Sequence, residues 1–316
     1  SVSISSVGDR IAIGAPNNGD IGTVSGQTRV YQWSGSNWYK LGNSISGESG
    51  GDLSGKSISL SGDGDFLAIG ALDNDGNGTA SGHVRVYKWN GSSWIQLGHD
   101  IDGENPSDYS GNSVSINYNG SSLLIGAYGN DGNGSGSGHI RVFEWNGLAW
   151  VQKGQDIDGD LSGDQLGWAT SISNNGLRIA ASSFTNQSLQ GYVKIFDWNG
   201  NNWEQIGSNI EGESTANFSG YCISLSKNGN IIAIGAPHNS DNGTNAGHVR
   251  IFGAPTAVCP QPLDITIHTA PTIDLGADTT LICAGTSEVL DAGAGFASYL
   301  WNDGSTNQTL SATTAG

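Results

Sequence analysis

The side chains best placed to do chemistry in this chain sit in short acidic turns. Asp73-Asn74-Asp75-Gly76-Asn77-Gly78 and Asn130-Asp131-Gly132-Asn133-Gly134 bring the oxygens of Asp73, Asp75, Asn77, Asp131 and Asn133 within a few residues of one another. Clustered oxygen ligands are what a hard cation such as Ca²⁺ selects, so calcium is the one cofactor the sequence suggests. The competing reading is that Asp, Asn and Gly simply make turns, and neither loop ends in the bidentate Glu that completes an EF-hand-like site. A further acidic pattern recurs at Asp100-Ile101-Asp102-Gly103-Glu104 and Asp156-Ile157-Asp158-Gly159-Asp160, where two carboxylates share one side of an extended segment.

His83, His139 and His248 occupy one recurring position, which Gln27 and Tyr192 fill elsewhere. Equivalent positions of a repeat lie far apart unless they line an axis, so these histidines are expected to pack on a neighbouring unit rather than to share one metal. Arg29, Arg85, Arg141, Lys194 and Arg250 occupy another such position. In so acidic a chain they are expected to hold unit to unit by pairing with loop carboxylates. Trp168 is an extra tryptophan where the fourth unit departs from the pattern. It is a candidate sugar-stacking platform, set against the alternative of a core residue.

For catalysis there is no His-Glu-x-x-His pair and no phosphate-cradling glycine loop followed by a helix, and no single unit gathers His, Cys and carboxylates together. The chain is read as non-enzymatic. Its 12 basic and 29 acidic residues give a net charge of −17, which repels phosphate backbones and anionic lipid and excludes nucleic acid as a partner class. No stretch approaches eighteen apolar residues, so membrane insertion by a helix is not expected. Three cysteines are too few for a disulfide scaffold; Cys222 is expected to be a small buried residue, and a Cys259–Cys283 pairing stays open.

The elements that must position these residues are short strands. Fifty glycines in 316 residues supply the positive φ of tight turns, while Val, Ile, Tyr and Trp alternate with polar residues throughout. The pattern repeats. Ile13-Gly14-Ala15, Ile69-Gly70-Ala71, Ile125-Gly126-Ala127, Ala181-Ser182-Ser183 and Ile234-Gly235-Ala236 are spaced by 56, 56, 56 and 53 residues. Each is followed by a block such as His83-Val84-Arg85-Val86-Tyr87-Lys88-Trp89 and, in all but the last unit, by a second tryptophan five residues on, as in Trp33/Trp38 and Trp89/Trp94. Asn-Gly between the paired tryptophans is a strong hairpin signal. Each unit reads as four strands; in the second these are 57–60, 66–70, 83–89 and 94–97. Four short antiparallel strands per unit of this length predict an all-β fold, a β-propeller of four-stranded blades with five repeats visible over 1–253. The last unit breaks off before its fourth strand.

The order Ile-Gly-Ala-Pro at 13–16 and 234–237, an acidic glycine-rich loop, and Gly-His-Val-Arg-Val-Tyr at 82–87 resembles the FG-GAP repeat of integrin-α-type propellers. That family's Asp-x-Asp-x-Asp-Gly calcium loop, between its first two strands, has no counterpart here: the equivalent turns, such as Ser61-Gly62-Asp63-Gly64-Asp65 and Ser226-Lys227-Asn228-Gly229, are too short and too poor in carboxylate. Residues 254–270 read as a linker. The tail 271–316, through Ile273-Asp274-Leu275-Gly276 and Tyr299-Leu300-Trp301-Asn302-Asp303-Gly304, resembles a partial PKD-like or immunoglobulin-like β-sandwich module of large secreted Bacteroidetes proteins.

These resemblances imply a secreted or cell-surface protein exported by the type IX pathway and forming part of a larger polypeptide, an expectation that the absence of methionine also prompts. They imply an adhesin or structural repeat protein, of the kind used in gliding motility. Its propeller loops would meet a surface glycan or protein ligand, and the secretion machinery would be its other partner. The alternative is a carbohydrate-binding propeller module of a larger secreted enzyme.

Overall fold

The computed structural model describes residues 1–185 and 189–253 and the short stretches 263–264, 279–280, 288–291, 305–307 and 309–312. The chain divides into two compact units, Ser1–Pro255 and Thr256–Gly316. The first is a five-bladed, all-β propeller with no helix among the described residues. In the second, Leu263–Asp264 pairs antiparallel with Thr279–Thr280, and Glu288–Asp291 with Thr309–Ala312. The linker, most of the immunoglobulin-like reading, Cys259 and Cys283 lie outside the described residues.

The second blade shows how the sequence builds the unit. Ser57–Leu60, Phe66–Ala71, His83–Trp89 and Trp94–Gln96 form successive antiparallel pairs. The fourth strand is then interrupted at Leu97-Gly98-His99-Asp100 and resumes as Ile101–Asp102, which pairs with the other half of the third strand at Val84 and His83. The acidic Asp100 to Glu104 segment is thus a resumed edge strand, which the four-strand reading leaves out. The hairpin loop has four residues, because Trp89 pairs directly with Trp94. Asn90 Oδ1 closes it by accepting the amides of Ser92 and Ser93, and Gly91 takes the φ of +96° that favours glycine.

Alternation along the strands sends successive side chains to opposite faces, so each blade contributes to two cores. Leu67 and Ile69 pack toward the first blade with Ala12, Val30 and Leu41, while Ala68, Val84 and Val86 pack toward the third with Leu123 and Ile125. The same apolar layer recurs between the later blades.

Polar stitches cross the blade-to-blade boundaries at three radii, the inner two at all four boundaries and the outermost at the first three, since the fifth blade has no hairpin tryptophan. Innermost, the amides of Leu60, Ile116, Ile172 and Leu225 donate to the hydroxyls of Ser3, Ser59, Ser115 and Ser171 of the preceding blade at 2.9–3.1 Å. Midway, Arg85, Arg141 and Arg250 donate to the carbonyls of Ser46, Asp102 and Glu211. Their ion pairs with Glu48, Glu104 and Glu213, and that of Lys194 with Asp160, make these four the unit-to-unit links their position implied, whereas Arg29 of the first blade donates to Gln27 of its own strand. At the outer edge, the indole N–H groups of Trp94, Trp150 and Trp203 donate to Leu41, Leu97 and Lys153 carbonyls.

The end blades each leave one such face open to solvent. Val2 and Ile4 of the first, equivalent to the buried Ile58 and Leu60, are exposed, as are Val249 and Ile251 of the fifth, equivalent to Val84 and Val86. Cys222 is exposed for the same reason: the fifth blade has no neighbour over it among the described residues, contrary to the expected buried position.

Candidate functional site

The first and second strands of a blade run antiparallel, so the start of one and the end of the other meet at the same end of the sheet, as the registers Ser113 with Gly126, Ala169 with Ser182 and Cys222 with Gly235 show. Two side-chain positions therefore face that end of every blade. One, just before the first strand, holds Lys56, Asn112, Trp168 and Tyr221 in the second to fifth blades; the other, just after the second strand, holds Pro16, Leu72, Tyr128, Phe184 and Pro237 in the first to fifth. The first two blades fill these places with Pro, Leu and Lys. The next three fill most of them with aromatic rings.

The rings touch in a continuous series. Tyr109 stacks on Tyr128 with centroids 5.0 Å apart and planes 2° from parallel. Tyr128 meets Trp168 at 5.3 Å, and Trp168 meets Phe184 edge-on at 4.4 Å and Tyr221 at 5.9 Å. Phe184 continues to Phe218 at 5.5 Å, and Phe218 to His238 at 4.4 Å. Trp168, Tyr109, Tyr128, Phe184 and Phe218 are half-buried, while Tyr221 and His238 are exposed. Trp168 is the hub of this ring cluster, half-buried and in contact with Tyr128, Phe184 and Tyr221.

Polar partners surround the rings. Asn112 Nδ2 donates to the Trp168 carbonyl at 2.9 Å, fixing the backbone that presents the indole. Burial, then the neighbouring Tyr109 and Asp73, push the Tyr128 phenol up to about 12. Asp73 is itself held above the usual carboxylate range by burial and by Asp75, with Lys56 opposing. Asp73 thus belongs to the electrostatic surroundings of the aromatic surface.

The other suggested calcium ligands are dispersed. Asp75 Oδ1 and Asp131 Oδ1 accept the turn amides of Ala80 and Gly136. The Asn77 and Asn133 amides donate to backbone carbonyls, Asn77 to Gly103 and Glu104 and Asn133 to Gly159 and Asp160, tying each loop to the resumed strand beside it. Of Asp73, Asp75 and Asn77, it is Asp75 that lines a cavity shared with Glu48, Asp52, His83, Asp100 and Asp102.

Two motif-like spacings lack the context their chemistry needs. Gly50-Gly51-Asp52-Leu53-Ser54-Gly55-Lys56-Ser57 has P-loop spacing, but strand Ser57–Leu60 follows it where a phosphate site requires a helix N-terminus. Gly47-Glu48-Ser49-Gly50-Gly51 has the spacing of a nucleophile elbow without the strand-to-helix turn.

Sequence reading singles out Trp168 but misses its partners. The available signal is the period itself: 72, 128 and 184 are one position, as are 56, 112 and 168, and aromatic residues enter them only from the third blade on, filling both in the fourth.

Comparison with known proteins places this geometry among propellers. A family model for the FG-GAP repeat matches residues 101–143, from the resumed strand of the second blade through the first three strands of the third. No curated protein matches the chain. Among solved structures it is similar to Kuenenia stuttgartiensis hydrazine synthase, at 15% identity and TM-score 0.50, over 75% of this chain and 56% of that one. It is also similar to TolB from Acinetobacter baumannii, at 15% identity and TM-score 0.47, over 80% and 51%. The chain spans about half the length of these two proteins, and the likeness is one of fold.

Proposed function

We propose that the propeller is a non-enzymatic binding module of a secreted or cell-surface adhesin, and that it binds a glycan on the aromatic surface centred on Trp168. The observation that carries this reading is the break in repeat symmetry. Of the positions occupied by Lys, Leu and Pro in the first two blades, Tyr128, Trp168, Phe184 and Tyr221 make a run of touching, partly exposed rings across the next three, beside Asn112 and Pro237. A packing role would leave every blade alike, because the inner serine and midway cation stitches are the same at all four boundaries.

The chemistry suits sugar. The C–H face of a pyranose is apolar and weakly positive, and it stacks on the negative face of an aromatic ring. Hydroxyls need acceptors and donors at the rim, where Asp73, Lys56 and His238 stand. Net charge opposes a polyanionic glycan and favours a neutral or cationic one. Export by the type IX pathway, surface exposure and adhesion are the setting the sequence resemblances imply. The same surface would serve as the carbohydrate-recognition module of a larger secreted enzyme.

Retention of the purified chain on insoluble cellulose, chitin, xylan and mannan tests the reading. At least one should retain it, and Trp168→Ala should weaken retention about tenfold or more, equivalent to ~1.4 kcal/mol. Failure to bind any of them, or retention indifferent to Trp168→Ala, would overturn the assignment.

A further inference from the structure

Away from the aromatic surface, the boundaries between blades hold a second feature with its own chemistry. We propose that the cleft between the first and second blades, and its copy between the second and third, are divalent transition-metal sites: Glu48, His83 and Asp100 in one, Glu104, His139 and Asp156 in the other.

In each group one donor atom per residue lies within 4.8 Å of the others. His83 Nδ1 stands 3.5 Å from Asp100 Oδ2 and 3.9 Å from Glu48 Oε2. Both distances exceed the roughly 2.7–3.2 Å of an N–H···O hydrogen bond. The first matches the ~3.4 Å that separates two ligands each about 2.1 Å from a tetrahedral ion. Closing the second requires a small movement of Glu48, whose side chain is half exposed.

His83 is 1% exposed, and its Nδ1 is aimed at two carboxylates that both lie beyond hydrogen-bond distance. A buried nitrogen so placed requires an explanation; Nε2, on the other side of the ring, has no partner either. His139 is equally buried, with Nδ1 3.9 Å from both Glu104 Oε2 and Asp158 Oδ1 and an Asp156 carboxylate oxygen within 4.8 Å.

The carboxylates are held from behind. Gln96 Nε2 donates to Asp100 Oδ1 at 2.6 Å, leaving Oδ2 toward the histidine, and Arg85 takes Glu48 Oε1, leaving Oε2. Gln152 with Asp156 and Arg141 with Glu104 repeat the arrangement. Outer partners of this kind orient metal ligands. The first cleft opens on a cavity of about 460 Å³ whose lining carries five carboxylates, those of Glu48, Asp52, Asp75, Asp100 and Asp102. Arg85 is the fixed cation paired there.

In the first four blades the two ligands from one blade come and go together: His83 and His139 are each followed seventeen residues later by Asp100 and Asp156, whereas Gln27 is followed by Ser44 and Tyr192 by Asn209; His248 of the fifth blade stands instead with Glu213 and Asp241. Where Tyr192 replaces histidine, its hydroxyl donates to Asp164 at 3.0 Å and needs no ion. A nitrogen ligand with two carboxylates fits Zn²⁺ and its neighbours, whereas Ca²⁺ takes oxygen ligands. Because Glu48 and Glu104 come from the preceding blade, each ion would staple two blades.

Native mass spectrometry of the full chain, stripped with chelator and incubated with Zn²⁺, counts the ions directly. His83→Gln should take up one ion fewer than the parent and His83→Gln/His139→Gln two fewer, a difference independent of whatever the more exposed Glu213, Asp241 and His248 group of the fifth blade holds. Asp100→Asn keeps the buried ring in place and should weaken zinc at its site at least tenfold by calorimetric titration. A stripped chain that retains no zinc, or variants that take up as much as the parent, would overturn the proposal.

Discussion

Tyr128 shows how one residue inherits properties from its place in the repeat. Leu72 fills the same position one blade earlier, under the same backbone; a phenol there is half-buried, stacked on Tyr109 and set near Asp73. Its folded pKa lies above the ~10 of an unfolded tyrosine. The unfolded chain therefore ionises first, so the contribution of Tyr128 to stability is complete below pH ~10 and is lost as the pH rises toward about 12. Denaturant unfolding of the parent should fall more steeply between those values than that of Tyr128→Phe; parallel curves would show that the phenol is solvated. At this scale the arginine column was legible, because a recurring cation in an acidic chain has few other uses. The aromatic surface was less so: each ring looks like a core residue when read in its own blade, and contact between Trp168, Tyr128 and Tyr221 exists only once three blades stand side by side.

At the scale of elements, alternation and glycine-marked turns predict nearly every strand, since a period of two with a buried face on each side leaves little freedom. The resumed edge strand escaped because two residues are too few to show alternation. Its ladder to His83 and Val84 depends on the third strand extending beyond the hairpin. The inner strands depend on something no pattern reveals. The Ile172 amide has no ladder partner on its inner side and donates to the Ser115 hydroxyl of the preceding blade at 3.1 Å. Ser115→Ala leaves that amide unmet, and an unsatisfied buried donor costs about 1–3 kcal/mol. Urea unfolding should register a loss in this range; a loss no greater than that of an exposed Ser→Ala, such as at Ser92, would show that the stitch carries no stability.

For the whole molecule, five similar units joined by the same serine and cation stitches and the same apolar layer make a scaffold largely indifferent to which blade is considered. Function must then reside where the blades differ. They differ at one end of the third to fifth blades, where rings replace Lys, Leu and Pro, and at the clefts beside the second and third, where a buried histidine meets a carboxylate pair. The repeat was plain in the sequence because its period is nearly invariant. The site was not, because it is a departure from that period and gains meaning only against the folded array.

The most direct test of the aromatic surface is a ¹⁹F spectrum of the chain labelled with fluorotryptophan. It would be titrated with the soluble oligosaccharide of whichever polysaccharide retains the protein, with Trp168 assigned by its loss in Trp168→Phe. Ten tryptophans report at once, eight of them in the hairpin pairs at the blade edges. The account predicts that the Trp168 signal shifts with saturation while the paired tryptophans stay in place; a bound chain whose Trp168 signal is unmoved, with shifts at Trp38 or another hairpin, would contradict it.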